Sequence, residues 1–284
     1  MVSGAARRAA VLGRPVDHSL SPVLHGAAYR ALDLPGWTYE RIDLDEAGLP
    51  AFVDGLGPEW AGLSVTMPGK RAALTHATEV TPRARAVGAA NTLVPGEDGW
   101  RADCTDVDGV AGALRCAGGF AGGGRAVVIG AGGTAAAVVV AAAELNVASV
   151  ALVVREPARA AETAEAARRV GLDVEVLRWS DADLVALAAG ADLLVSTVPS
   201  EALTADLDAL AGVPCVLDVI YDPWPTPLAE AVTARGGRIA TGLDMLLHQA
   251  FGQVEQFTGR SAPREAMRDA LREATGGEVP LPLD

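Results

Sequence analysis

IGAGGTAAA, residues 129–137, is the stretch whose reading decides the fold. It follows the apolar run RAVVIG (125–130) and opens an alanine- and valine-rich segment. Gly130, Gly132 and Ala135 give the spacing G-x-G-x-x-A. In a strand–turn–helix setting, the first glycine makes the tight turn and the second lets backbone approach a pyrophosphate. The small third residue packs helix on strand, and the helix N-terminus faces the phosphates. Residues 126–143 carry no charge and approach the length of a membrane span. The glycines in their first third favour a buried strand, a turn and a buried helix instead.

Working outward, strand candidates recur at VASVALVV (147–154), LDVEVLRW (172–179), ADLLVSTV (191–198), VPCVLDVI (213–220) and GRIAT (237–241), with helical stretches between most of them. Together with RAVVIG they predict a doubly wound dinucleotide-binding domain. The first hundred residues alternate as well. RAAVL (8–12), WTYERIDL (37–44), WAGLSVTM (60–67), AANTLV and GWRAD read as strands. SPVLHGAAYRAL (21–32), LPAFVDGL and PGKRAALTHA read as helices, the first with Ser21 as N-cap and Pro22 as first helical residue. The fold class is therefore α/β with two domains. AGGFAGGG (117–124) is a glycine-rich break. Two helices close the chain, DMLLHQAFGQVEQFTG and, with Ser261 as cap, APREAMRDALREA; both are expected to pack back on the first domain. The expected division is a substrate domain over 1–103, completed by 243–284, and a Rossmann domain over 104–242.

The chain has 284 residues, half of them hydrophobic, and a formal charge of −13. That charge argues against nucleic-acid and anionic-membrane surfaces. Three cysteines without a paired spacing suit a reducing, cytoplasmic compartment. The opening MVSGAARRAAVLGRP has too short an apolar run after its twin arginine for a signal peptide.

Where an NAD enzyme places an acidic residue after the second strand, this chain has VVREPAR, with Arg155 and Arg159. Two guanidiniums suit a 2′-phosphate, so NADP(H) is the expected cofactor, with Glu156 between them as an opposing charge. GRPVDHSLSP (13–22) puts Ser19 and Ser21 in a loop entering a helix, a place for a carboxylate. RADCTDVDG (101–109) crowds three carboxylates, but counting back from Gly109 puts Cys104 and Arg115 where a calcium loop needs ligands. The four histidines lack metal-ligand spacing, so no metal is expected. SVTMPGK (64–70) holds the single lysine among 23 basic residues. A lysine ammonium can release a proton where a guanidinium cannot, and a carboxylate near 103–108 could pair with it.

GRPVDHSLSP, SVTMPGK, AANTL, DCTDVDG, GAGGTAAA, YDPWPTP and TGLDMLLHQAFGQVEQFTG, in this order, resemble shikimate dehydrogenase over nearly the whole chain, most closely its actinobacterial members. The resemblance implies NADPH-dependent reduction of 3-dehydroshikimate to shikimate, on the route to chorismate and the aromatic amino acids, by a monomer or homodimer. It implies Lys70 and Asp106 as the catalytic pair and Ser19 and Ser21 on the substrate carboxylate. Thr66, Asn91, Asp106 and Gln249 would hold ring hydroxyls, with Tyr221 nearby. Gly130, Ala131, Gly132, Gly133, Thr134, Ala135, Arg155, Arg159, Thr197, Val219 and Gly242 would line the cofactor. Three positions depart from the common pattern: Ser64 stands where Asn is frequent, Gly69 replaces an aromatic residue, and Cys104 replaces Asn. Readings kept open are a quinate/shikimate dehydrogenase using NAD, an aminoshikimate-pathway paralogue and a non-catalytic cofactor-binding regulator.

Overall fold

The computed structural model describes residues 6–284. The first five, which open the stretch read above against a signal peptide, lie outside the described residues. In chain order the elements are β1 (Arg7–Gly13), α1 (Ser21–Ala31), β2 (Trp37–Asp43), α2 (Leu49–Asp54), β3 (Trp60–Val65), α3 (Lys70–His76), β4 (Glu79–Val80), α4 (Pro82–Val87), β5 (Thr92–Gly96) and β6 (Gly99–Asp103). Next come α5 (Asp106–Cys116), β7 (Arg125–Ile129), α6 (Gly133–Glu144), β8 (Ser149–Val154), α7 (Ala161–Arg169), β9 (Asp173–Arg178), α8 (Leu184–Ala189), β10 (Leu193–Ser196), α9 (Leu207–Leu210), β11 (Cys215–Asp218), α10 (Pro227–Ala234) and β12 (Ile239–Thr241). The chain closes with α11 (Gly242–Thr258) and α12 (Arg264–Ala274).

These elements form two compact units. Residues 6–105 and Gln249–Leu281 make one; Asp106–His248 and Pro282–Asp284 make the other. The division falls between Thr105 and Asp106 and again within α11.

The first unit holds a six-stranded sheet in the order β2-β1-β3-β5-β6-β4. β1 runs parallel to β2 and β3, while β5 runs antiparallel to β3 and β6. Side chains alternate across a strand. Ala10, Leu12 and Leu63 pack with Leu49 and Val53 of α2 and Ala73 of α3. Ala9 and Ala61 pack with Phe257 of α11. Gly62 admits that helix, since a Cβ there would lie 2.1 Å from Phe257. α12 packs against α1. The helix α4 was not read from sequence, although its signal is present. Thr81 caps it by accepting from the Ala84 amide, Pro82 occupies the first turn, and Gly88 ends it at φ 78°.

The second unit holds six parallel strands in the order β12-β11-β10-β7-β8-β9. Counted from β7, this is the strand order 3-2-1-4-5-6 of a doubly wound dinucleotide-binding sheet. The uncharged stretch resolves as expected into β7, a turn and α6, whose residues 135–142 are all buried. No helix among the described residues is long and apolar enough to cross a membrane. AGGFAGGG joins α5 to β7.

Two capping expectations are corrected. Ser21 is the first residue of α1, not its cap; the preceding Leu20 takes the cap position without a side-chain bond. Pro22 keeps its place in the first turn, and Ser19 Oγ accepts the Ser21 amide at 3.3 Å. Likewise Pro263, not Ser261, precedes α12.

Candidate active site

In the first unit, the loop 13–20 and the turn after β3 lie together. A Cβ on Gly13 would sit 2.3 Å from Thr66 Cγ2, so only glycine allows this approach. The Thr66 amide donates to Leu12 O at 2.8 Å. Ser19 is fixed through its carbonyl, which accepts from Arg41 Nε and a second guanidinium nitrogen at 3.0 and 2.6 Å. His18 is exposed. Lys70 is the half-buried first residue of α3, and its carbonyl accepts from the Ala90 amide. That bond ties the lysine turn to the segment carrying Asn91, just ahead of β5. A Cβ on Gly69 would meet Leu49 and Val65 at 3.0 and 3.1 Å, so packing here opposes a larger residue.

Asn91 lies in a buried polar cluster. Its Oδ1 accepts from Thr92 Oγ1 and the Thr105 amide, both at 2.8 Å, and its Nδ2 donates to Gln249 Oε1 at 3.1 Å. Asn91 and Gln249, expected on sequence grounds to act together, are therefore bonded directly. The cluster continues into residues that sequence reading missed. Gln253 Nε2 donates to Asn91 O and Thr92 Oγ1, each at 3.1 Å. Gln253 Oε1 accepts from Ser64 Oγ at 2.8 Å and faces His25 Nε2 at 3.3 Å. Ser64 in turn accepts from the Tyr39 hydroxyl at 2.6 Å. His25 is fully buried and stacked on Tyr39 with ring centroids 4.0 Å apart. Burial lowers its pKa to about 3, against a smaller opposing effect of the Gln253 bond. Burial likewise raises the pKa of Tyr39. The only signal for this network in the sequence is the i, i+4 spacing of Gln249 and Gln253 on one helix face.

The three crowded carboxylates part company. Asp103 is a structural anchor. Arg83 binds it with two nitrogens at 2.7 and 2.5 Å, and Thr81, Gln256 and the Cys104 amide donate to it as well. Burial pushes its pKa up, but the Arg83 and Thr81 hydrogen bonds outweigh this and hold it at about 2. Cys104, where Asn is frequent, is buried and in no disulfide. Asp106 is buried in the first turn of α5, at the start of the second unit, and Asp108 is half-buried.

In the second unit, Gly130 has φ +104°, and a Cβ there would lie 2.3 Å from Thr197 Oγ1. Conformation and packing both require glycine. Thr197 Oγ1 donates to Ile129 O at 2.9 Å, and Thr163, a further residue missed from sequence, holds the loop by donating to Ala131 O at 3.2 Å. Gly132 differs. Its backbone, φ −81°, suits any residue, and a Cβ on it or on Gly133 would meet no protein atom within 4 Å. Neither strain nor packing explains these glycines. They leave an open cradle at the N-terminus of α6, which fits the pyrophosphate of a dinucleotide. Thr134 is half-buried, and Ala135 is fully buried against the sheet.

Arg155 directly follows β8 and Arg159 lies in the next turn, both exposed. The Glu156 carboxylate pairs with Arg178 at 3.6 Å. Gly242 opens α11 beneath Val219 and Tyr221; a Cβ there would lie 2.0 Å from Val219 O and 2.7 Å from the Tyr221 ring. Burial raises the pKa of Tyr221. Thr241 and Asp244 cap α11 reciprocally: Asp244 Oδ2 accepts the Thr241 amide at 2.8 Å, and Thr241 Oγ1 accepts the Asp244 amide at 3.3 Å. Burial raises the pKa of Asp244 to about 6.

Known proteins settle which family combines these units. A curated NADP(+)-type shikimate dehydrogenase from Methylobacterium radiotolerans is 41% identical, covering 96% of this chain and 97% of its own length. The chain belongs to the shikimate dehydrogenase family. Residues 11–93 match the shikimate dehydrogenase substrate binding domain, and residues 242–272 match the shikimate 5′-dehydrogenase C-terminal domain. The crystal structure of shikimate dehydrogenase from Mycobacterium tuberculosis is 54% identical, with a TM-score of 0.88 over 94% of this chain and 99% of that one. A Thermus thermophilus shikimate 5-dehydrogenase solved with NADP(H) and shikimate is 32% identical, with a TM-score of 0.77 over 94% of this chain and 99% of that one. The cofactor of the curated shikimate dehydrogenase relatives is NADP(+).

Proposed function

We propose that Lys70 and Asp106 handle the proton in this enzyme's reaction, the NADPH-dependent reduction of 3-dehydroshikimate to shikimate. The observation that carries this reading is Lys70 itself, the single lysine of the chain, placed at the start of α3 and tied through Ala90 to the segment carrying Asn91. NADPH, when bound, supplies the hydride to the C3 carbonyl carbon. Lys70 protonates the C3 oxygen, and Asp106 holds the ammonium oriented and balances its charge. Ser19 and Ser21 take the substrate carboxylate. Thr66, Asn91, Asp106 and Gln249 take ring hydroxyls, with Tyr221 beside them.

Gly130–Ala135 would hold the dinucleotide, with Thr197, Val219 and Gly242 around it. Arg155 and Arg159 face its 2′-phosphate. The pairing of Glu156 with Arg178 supports this, because it draws off the one carboxylate between the two arginines. Residues 1–103 with 243–284 act as the substrate domain and 104–242 as the cofactor domain. The enzyme is of the actinobacterial type, supported by its likeness to the mycobacterial structure. It works in the cytoplasm, where its three cysteines, none of them in a disulfide, stay reduced.

The test is Lys70→Arg. Arginine keeps the charge but not the transferable proton. The folded variant is expected to lose roughly 10²- to 10⁴-fold in kcat with shikimate and NADP+. Turnover within a few-fold of wild type would overturn the assignment.

A further inference from the structure

Gln253 is 1% exposed and uses its whole amide. Its two donors go to Asn91 O and Thr92 Oγ1, which fixes the amide's orientation, because a carbonyl oxygen can only accept. Oε1 must then accept. Ser64 Oγ supplies one proton, since its oxygen already receives the Tyr39 hydroxyl. His25 Nε2 must supply the other, which puts a proton on Nε2, while full burial with no partner on Nδ1 keeps the ring neutral. Buried Nδ1 has no hydrogen-bond partner, as an acceptor nitrogen can tolerate more readily than a donor.

The consequence reaches Asn91. Thr92 Oγ1 receives a proton from Gln253, so its own proton goes to Asn91 Oδ1. With the Thr105 amide on the same oxygen, the Asn91 amide cannot flip, and Nδ2 stays on the side of Gln249. We propose that Gln253 is the positioning residue for Asn91, acting through Thr92 Oγ1 and oriented by Ser64 and His25. This rests on the reading of Asn91 as a substrate contact. It also gives Ser64 a role at a position where Asn is frequent: its hydroxyl serves Gln253.

The test uses the full chain with shikimate and NADP+. In Gln253→Glu, a carboxylate has no hydrogen for the Asn91 carbonyl and accepts the Thr92 proton, releasing Asn91 Oδ1. The KM for shikimate is expected to rise roughly ten- to hundredfold, the scale of one or two misdirected hydrogen bonds, with the KM for NADP+ within about twofold of wild type. Thr92→Val removes the same relay and is expected to raise the shikimate KM in the same way. The double variant should lose less than the product of the two single effects. Thr92→Val carries the test alone if Gln253→Glu does not fold. Asn91→Ala separates the two ideas. If Asn91→Ala leaves the shikimate KM unchanged, the substrate-contact reading fails. If it raises that KM but Gln253→Glu and Thr92→Val do not, only the positioning inference fails. Equal rises for both substrates with a lowered Tm would make Gln253 a packing residue and overturn the proposal.

Discussion

Between pH 6.5 and 4.5, above the range where Asp103 loses its charge, acid should weaken the first unit through His25. Its folded pKa is about 3, against 6.5 for the free ring. Above pH 6.5 the ring is neutral folded and unfolded, so its contribution to stability is fully present. Between 6.5 and about 3 the unfolded chain takes up a proton that the native one does not. Stability therefore falls as pH falls, by about 1.4 kcal/mol per pH unit. From pH 6.5 to 4.5 the loss is roughly 2.7 kcal/mol, a large share of a typical stability of about 5–15 kcal/mol. Asp244 works the other way: its raised pKa of about 6 makes the native state the better proton binder between 3.8 and 6. A single stability curve would mix the two effects, so the measurement is a difference. Urea unfolding followed by tryptophan fluorescence, from pH 7.5 to 4.5, compares wild type with His25→Phe and His25→Gln. Phe keeps the stack on Tyr39, whereas Gln keeps a hydrogen-bonding group. Wild type should be more stable at pH 7.5, and the gap should shrink by about 1.4 kcal/mol per unit below 6.5. Parallel curves would refute the buried neutral ring.

Other outcomes follow from the same contacts. Arg83→Ala strands the buried Asp103 carboxylate and should cost about 3–5 kcal/mol in urea unfolding; adding Asp103→Asn should recover part of it. Gly132→Ala should leave Tm nearly unchanged yet weaken NADP+ binding by calorimetry, because its Cβ meets only the space assigned to the cofactor. Gly130→Ala should lower both, since it adds about 1–3 kcal/mol of backbone strain and strikes Thr197. Replacing Arg155 and Arg159 together with Ala should raise the KM for NADP+ more than that for NAD+; equal effects would make them solvated loop residues.

Much of the fold was legible because it rests on short-range signals. The inner strands β7, β10 and β11 of the second unit are near-continuous apolar runs, as strands buried on both faces must be, whereas the edge strand β9, DVEVLR, alternates. The glycine turn sits between the first of them and its helix. In the first unit the long strands and α1 were equally plain. α4 and the two-residue β4 were missed because they are short and set among charged residues, although Thr81, Pro82 and Gly88 spell out the start and stop of α4. Ser21 and Ser261 were misplaced as caps for a related reason. A serine one residue ahead of a proline, as Ser21 is, or two ahead, as Ser261 is, reads locally as a cap, but Leu20 and Pro263 already provide the turn into each helix.

The two units differ in how a binding site leaves its mark on a sequence. In the second, the cradle at α6 is made of backbone, so what it demands is the absence of side chains, and glycine records that demand one residue at a time. Its core can stay almost wholly apolar, as the buried alanines and valines of α6 do. In the first unit the site proposed above is made of side chains in the core, and a buried polar group is tolerated only when its partners are all present. Asn91 therefore brings Thr92, Thr105, Gln249 and Gln253 with it, and Gln253 brings Ser64, His25 and Tyr39. These residues lie up to 228 positions apart in the chain. Apart from Asn91, Gln249 and Ser64, which the family resemblance marks, each reads as an ordinary loop, strand or helix residue. Only the closed count of donors and acceptors reveals that they form one device.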